Sequence, residues 1–224
     1  MKNKKYKGIS TVTLHTAGKE NDNFSHTTPI YATSTFTFDS TNEGMERFKG
    51  TDKTRIYSRW GNPTFVAAEK TIEALEAHGL KNENGEALEL KALLHSSGQA
   101  AMSTLFFSNL SAGDTLLSHY SLYGGTQELM QKILAEAGIK TLLIDVRDIK
   151  LLEKTIGENP EIKLIHLETP ANPTIQCVDI EAICTIAHQH NIKVSVDNTV
   201  ATPYLQQPFA LGADLATWAA FRTS

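Results

Sequence analysis

From Lys91 onward the chain alternates short apolar runs with turn residues and helical stretches, and few folds accept that alternation. Residues 92–95, 115–117, 141–144, 164–167 and 192–196 read as strands of β-branched and aliphatic side chains. Residues 100–110, 127–137, 148–156 and 179–190 read as the helices between and around them. Strands separated by helices of this length imply βαβ units, a mostly parallel sheet covered on both faces, and right-handed crossovers. The predicted class is α/β.

The first part of the chain reads differently. Residues 1 to about 60 are rich in Thr, Ser, Asn and Asp without sustained helical periodicity, which predicts an extended arm with turns lying against a neighbouring subunit. A helix begins at Asn62-Pro63-Thr64, with Phe65, Ala68, Ile72 and Leu75 along one face and Gly79 closing it. Residues 80–90 read as a solvated loop. A net charge of −4 leaves no footprint for nucleic acid or an acidic membrane surface, so a small-molecule ligand is expected. No apolar run reaches the roughly 18 residues of a membrane span, and the lysine-rich start, residues 1–7, is not followed by the apolar core of a secretory signal. Cys177 and Cys184 form neither a disulfide framework nor a zinc motif, and a reducing cytoplasm is the expected setting.

Several positions carry candidate chemistry. Ile192, Val194 and Val196 alternate with polar residues and deliver Asp197 into a turn at a strand's carboxyl end, where ligands of open α/β sheets bind. Ser96-Ser97-Gly98-Gln99-Ala100 joins a strand to a helix, so free N–H groups and the positive helix end suit a phosphate. Tyr123 precedes two glycines at another such junction, Asn172 stands between Pro170 and Pro173, and Tyr57 and Arg59 alternate so that both can reach one anion. Taken singly, each has a plain structural alternative: a helix cap, a core tyrosine, a turn, a solvated arginine.

Their order is more telling. Pro29-Ile30-Tyr31-Ala32-Thr33-Ser34-Thr35-Phe36, Tyr57-Ser58-Arg59-Trp60-Gly61-Asn62-Pro63-Thr64, Ser96-Ser97-Gly98-Gln99-Ala100-Ala101, Tyr123-Gly124-Gly125-Thr126, Glu168-Thr169-Pro170-Ala171-Asn172-Pro173-Thr174 and Val196-Asp197-Asn198-Thr199 through Tyr204-Leu205-Gln206 follow one another as in a known family. The chain resembles the Cys/Met-metabolism, or trans-sulfuration, family of pyridoxal-phosphate enzymes. The resemblance implies a fold-type-I large domain and elimination or replacement at the γ- or β-carbon of cystathionine, methionine or O-acylhomoserines. It divides the chain into an arm and intersubunit segment, residues 1–61, and an incomplete cofactor domain, residues 62–224. By the same resemblance Asp197 pairs with the pyridine nitrogen, Tyr123 stacks on the ring, and Gly98 and the Gln99 backbone cradle the phosphate. Asn172 stands near the ring hydroxyl. Tyr57 and Arg59 reach the phosphate of a neighbouring subunit, which implies a dimer of dimers.

The sequence also departs from that pattern. No lysine follows Asp197, and Arg222 falls where relatives carry the Schiff-base lysine. A guanidinium stays protonated and cannot attack an aldehyde. Ala219 and Phe221 fall at hydroxyl-bearing positions of the family, and similarity is lost abruptly after Asp214. The expectation is a chain cut before the lysine and without the carboxy-terminal small domain, by frameshift or truncation, inactive alone. The alternative is a non-catalytic helper subunit lending Tyr57 and Arg59 to a full-length paralogue. Gly125 stands where methionine γ-lyases carry Cys, which tilts the expectation toward synthase, sulfhydrylase or cystathionine chemistry.

Overall fold

The computed structural model describes residues 8–17 and 25–219. The lysine-rich start and the expectations for Phe221 and Arg222 lie outside the described residues. Internal contacts divide the chain into two units, residues 1–94 and 95–224.

In the first unit the segment expected to be extended carries two short helices, α1 (Ile9–His15) and α2 (Thr41–Phe48). The second has a local cause, a reciprocal cap at its start. Ser40 Oγ accepts the Glu43 N–H at 3.1 Å, and Glu43 Oε2 accepts the Asp39 N–H at 2.7 Å, so two otherwise orphaned donors are satisfied reciprocally. The predicted third helix, α3 (Pro63–Glu76), starts where Asn62 accepts the Thr64 N–H at 2.9 Å with Pro63 in the first turn. Two sequence motifs are stitched together just before it. Ser58 N–H donates to Ser34 O at 2.9 Å, Asn62 Nδ2 to Tyr31 O at 3.0 Å, and Tyr31 N–H to Thr64 Oγ1 at 2.9 Å. Residues 92–95 are not a strand. Ala92 N–H and Leu94 N–H donate to the carboxylates of Glu73 and Glu69 on α3, both at 3.0 Å, in place of a ladder partner.

The second unit is built on five parallel strands: β1 (Thr115–His119), β2 (Lys140–Ile144), β3 (Ile162–Glu168), β4 (Lys193–Asp197) and β5 (Leu215–Thr217), in the order β2-β1-β3-β4-β5. Four of them were expected, whereas β5 has only three residues and too little alternation to read from sequence. The helices are α4 (Gly98–Asn109), α5 (Gly124–Glu128), α6 (Ile149–Glu158), α7 (Ile180–Gln189) and the short α8 (Thr202–Leu205). The expected helix at 127–137 is split, because α5 runs into a wider π-helix at Leu129–Leu134. Leu117, Ile165, Leu167, Val194 and Val196 face a core shared with α6 and α7. Leu116 and Leu164 face the opposite core, with Met102, Phe106 and Met130 from α4 and the helix after β1.

The strand order places the site. The chain leaving β1 turns toward β2, whereas the chain leaving β3 turns toward β4, so the two connections diverge. A crevice opens between diverging connections at the carboxyl ends of a parallel sheet, and ligands of such folds bind there. Among the described residues no helix is long and apolar enough to cross a membrane, and no group of His, Cys, Asp and Glu could hold a metal ion.

Candidate active-site cleft

A cleft of about 290 Å³ occupies that end of the sheet. Its floor is one row of the β ladder. Glu168 on β3, Asp197 on β4 and Thr217 on β5 are register partners and all three line it. One wall is the N-terminus of α4, where Ser97 Oγ caps Ala100 N–H at 3.1 Å and Ser97 O takes Ala101 N–H. The preceding N–H groups of Gly98 and Gln99, both in the lining, are left without an intrahelical acceptor. A Cβ at Gly98 would stand 3.0 Å from Ala219 Cβ, also in the lining, so glycine keeps this wall open.

Asp197 is held at the mouth of its strand. Its Oδ1 accepts the Thr199 N–H at 3.0 Å, and Thr199 Oγ1 in turn accepts the Ala219 N–H at 2.8 Å. Burial pushes the Asp197 carboxyl above the usual range, against the opposing pull of the Thr199 hydroxyl and N–H. The turn beyond it is fixed by amides. Asn198 Nδ2 donates to Gln206 O at 2.9 Å, Gln206 Nε2 donates to Asn198 Oδ1 at 2.9 Å, and Gln206 Nε2 also reaches Thr169 O at 2.8 Å. That network accounts for the Asp-Asn-Thr and Tyr-Leu-Gln pattern without giving Asn198 or Gln206 a ligand.

Tyr123, half exposed, caps α5 and overlies Gly125. A Cβ at Gly125 would fall 2.8 Å from Tyr123 Cε1 and 3.2 Å from Gln99 Nε2, so the ring keeps its position because residue 125 lacks a side chain. Gln99 Nε2 is itself anchored to Thr126 Oγ1 at 3.3 Å. The buried Glu168 accepts the Tyr123 N–H through Oε2 at 2.6 Å and the Asn172 N–H through Oε1 at 2.7 Å. Burial raises its carboxyl, the two N–H donors lower it, and the charge of Asp197 raises it again.

Five expected site residues, Gly98, Gln99, Tyr123, Asn172 and Asp197, are thus brought to one cleft. Tyr57 and Arg59 belong to the first unit and are not in its lining. There the Arg59 guanidinium lies 5.0 Å from the Tyr57 ring centroid. Sequence reasoning missed Glu168, Thr199 and Thr217 as lining residues. Thr199 had a readable signal, an acid two residues before a threonine that can close a turn on it. Glu168 and Thr217 had none, since only the strand register sets them beside Asp197.

Unsatisfied amides at the start of a twelve-residue helix suit a phosphate, and a buried carboxylate held above its ordinary range suits a basic ring nitrogen. Set at one switch point, they place the chain among α/β domains that hold a phosphorylated heterocycle, and the residues present fit pyridoxal phosphate. A family model described as Cys/Met metabolism PLP-dependent enzyme matches residues 10–222, and the chain belongs to that family. The match runs past Asp214, where similarity was expected to end. The chain is 39% identical over 210 residues to an L-methionine gamma-lyase of Treponema denticola, covering 93% of this chain and 49% of that protein. It is 40% identical over 187 residues to a cystathionine beta-lyase of Lactococcus lactis, covering 84% and 43%. Among solved structures, a putative O-acetylhomoserine (thiol)-lyase from Campylobacter jejuni carrying a pyridoxyl-lysine monophosphate superposes with a TM-score of 0.82 at 32% identity, covering 95% of this chain and 48% of that one. The cystathionine gamma-lyase of Lactobacillus plantarum, complexed with L-serine, gives 0.79 at 34%, covering 94% and 50%. The architecture is that of fold-type-I enzymes, and the chain spans about half the length of the relatives it matches.

Proposed function

We propose that this chain provides the arm and cofactor cleft of a trans-sulfuration enzyme, acting at the γ- or β-carbon of cystathionine, methionine or an O-acylhomoserine. What supports the reading is the convergence of Gly98, Gln99, Tyr123, Asn172 and Asp197 on one cleft at the sheet's switch point. Pyridoxal phosphate, when bound, supplies an electron sink for a carbanion beside its ring. Asp197 would take the ring N–H, and that opposite charge would offset the burial that now raises its carboxyl. The Gly98 and Gln99 N–H groups would hold the phosphate, the Tyr123 ring would cover one face, and Asn172 would lie beside the ring hydroxyl. Tyr57 and Arg59 would serve the phosphate of a neighbouring copy, so the working form is a homo-oligomer in the cytoplasm.

A second reading rests on one observation, that Arg222 stands where the family resemblance puts the Schiff-base lysine. It makes the chain a helper subunit that holds the cofactor without chemistry. The two separate when the purified chain is mixed with pyridoxal phosphate, reduced with borohydride, and mapped by peptide mass spectrometry. One stoichiometric lysine adduct supports catalysis with a recruited lysine. Reversible binding lost in Asp197→Asn, without an adduct, supports the helper. No binding at all rejects both.

A further inference from the structure

The chains leaving β1 and β3 part at the switch point, yet they stay linked by side chains. His119 Nε2 lies 3.2 Å from Gln176 Oε1, Ser121 Oγ lies 2.8 Å from Thr174 Oγ1, and Glu168 meets both Tyr123 and Asn172. The first two links lie outside the cleft lining. Only the third, among the described residues, joins the backbones of two lining residues from opposite connections. Glu168 itself is 4% exposed.

We propose that Glu168 is a positioning residue: its carboxylate braces the two diverging connections and fixes the separation of Tyr123 from Asn172 across the cleft. In taking that separation as what a bound ring requires, the proposal rests on the cofactor reading above; the brace itself does not. A carboxylate suits the task because it accepts at both oxygens, whereas an amide accepts at one and presents donors at the other. Both Glu168 oxygens are engaged by main-chain N–H groups at 2.6 and 2.7 Å, the short distances of charge-assisted bonds. Such a group is poorly placed to shuttle a proton and well placed to hold two loops. The negative charge also sits at the first turn of α5, for which Tyr123 is the capping residue, and so favours the helix dipole.

The test begins with the full-length wild-type chain and needs no ligand. The amide protons of Tyr123 and Asn172 are followed by NMR against pH. Because one carboxylate serves both, they should lie far downfield and shift together with a single midpoint above the ordinary glutamate range. Asp197 is the charged group facing Glu168, from β4; Asp197→Asn should lower that midpoint while the two amides still move together. In Glu168→Gln the pH step should vanish from both, and one amide should exchange about tenfold faster or more, the loss of a bond to a charged acceptor. Pyridoxal phosphate is then titrated by absorbance, and Glu168→Gln should bind about tenfold more weakly on the same ground. Two different midpoints, or one amide indifferent to pH, overturn the brace whether or not the variant folds. Joint titration in a wild-type chain that binds no pyridoxal phosphate keeps the brace and rejects the cofactor reading. Equal binding by wild type and Glu168→Gln overturns the positioning role.

Discussion

The two faces of the sheet differ in kind, although the same strands make both. On one face Leu117, Ile165, Leu167, Val194 and Val196 pack against α6 and α7 with few polar atoms among them. The one buried thiol there, Cys184, is pushed up to about 12 by burial and stays uncharged. On the other face polar residues rise in steps toward the cleft. Ser118, His166 and Ser195 form one row of the ladder, and Glu168, Asp197 and Thr217 form the row at the carboxyl ends. The difference teaches that both faces bury an apolar core but only one carries polar rows up to the cleft, so chemistry is confined to one face. A strand's period of two makes that possible, since adjacent residues never share a side.

The apolar face should therefore carry the largest effect on folding and the smallest on the cleft. Leu152 of α6 is fully buried there. Leu152→Ala should cost about 2–5 kcal/mol in chemical denaturation, the range for a truncated core leucine. Binding of pyridoxal phosphate by the fraction still folded should not change. A variant that unfolds no more easily yet loses binding would break the division between faces.

Much of that division could be read before any coordinates. Val194-Ser195-Val196-Asp197 alternates openly, so one polar side ending in an acid at a strand terminus was legible. The strand-to-helix turns at 96–99 and 123–126 were legible for the same reason, a local change of period. What could not be read depends on distance along the chain. Glu168 and Asp197 become neighbours through register, which no local pattern encodes. The run at 92–95 looked like a strand, but its N–H groups are taken by two carboxylates more than fifteen positions earlier, on α3. The α2 helix was missed because it is eight residues long and mostly polar, with only Met45 and Phe48 as large apolar residues, and its start is fixed by the Ser40 and Glu43 cap.

A smaller and pH-dependent effect is expected from the buried polar row. Ser195 Oγ lies 2.9 Å from His166 Nδ1 and donates to Ile165 O at 3.4 Å, so the network assigns the proton to Nδ1. His166 Nε2 is buried without a partner, and the ring meets Phe106 edge-on at 5.2 Å. Burial drives this imidazole down to about 3. The unfolded chain takes up a proton near pH 6.5 while the folded one does not, so stability is lost as pH falls from there toward 3. Ser195→Ala, which strands the Nδ1–H, should cost about 1–3 kcal/mol at neutral pH. His166→Leu should flatten the acid slope. An unchanged slope in His166→Leu would mean that the buried row does not set the acid response of this face.

The smallest effect should come from the rim of the cleft, and with the opposite sign in pH. Asp197 is raised, so the folded chain holds a proton that the unfolded chain has released. Stability therefore falls as pH rises from the ordinary aspartate range through the raised value. Thr199→Val keeps the shape of the side chain and the N–H bond to Asp197 but removes the hydroxyl that opposes the rise and accepts from Ala219. It should cost about 1 kcal/mol near neutrality and extend the falling limb to higher pH. In Asp197→Asn that limb should shrink, and adding Thr199→Val should then leave the pH profile unmoved. If Thr199→Val shifts the profile equally with and without the aspartate, the hydroxyl acts on Ala219 alone, and the rim of the cleft is held by its backbone rather than by the acid at its centre.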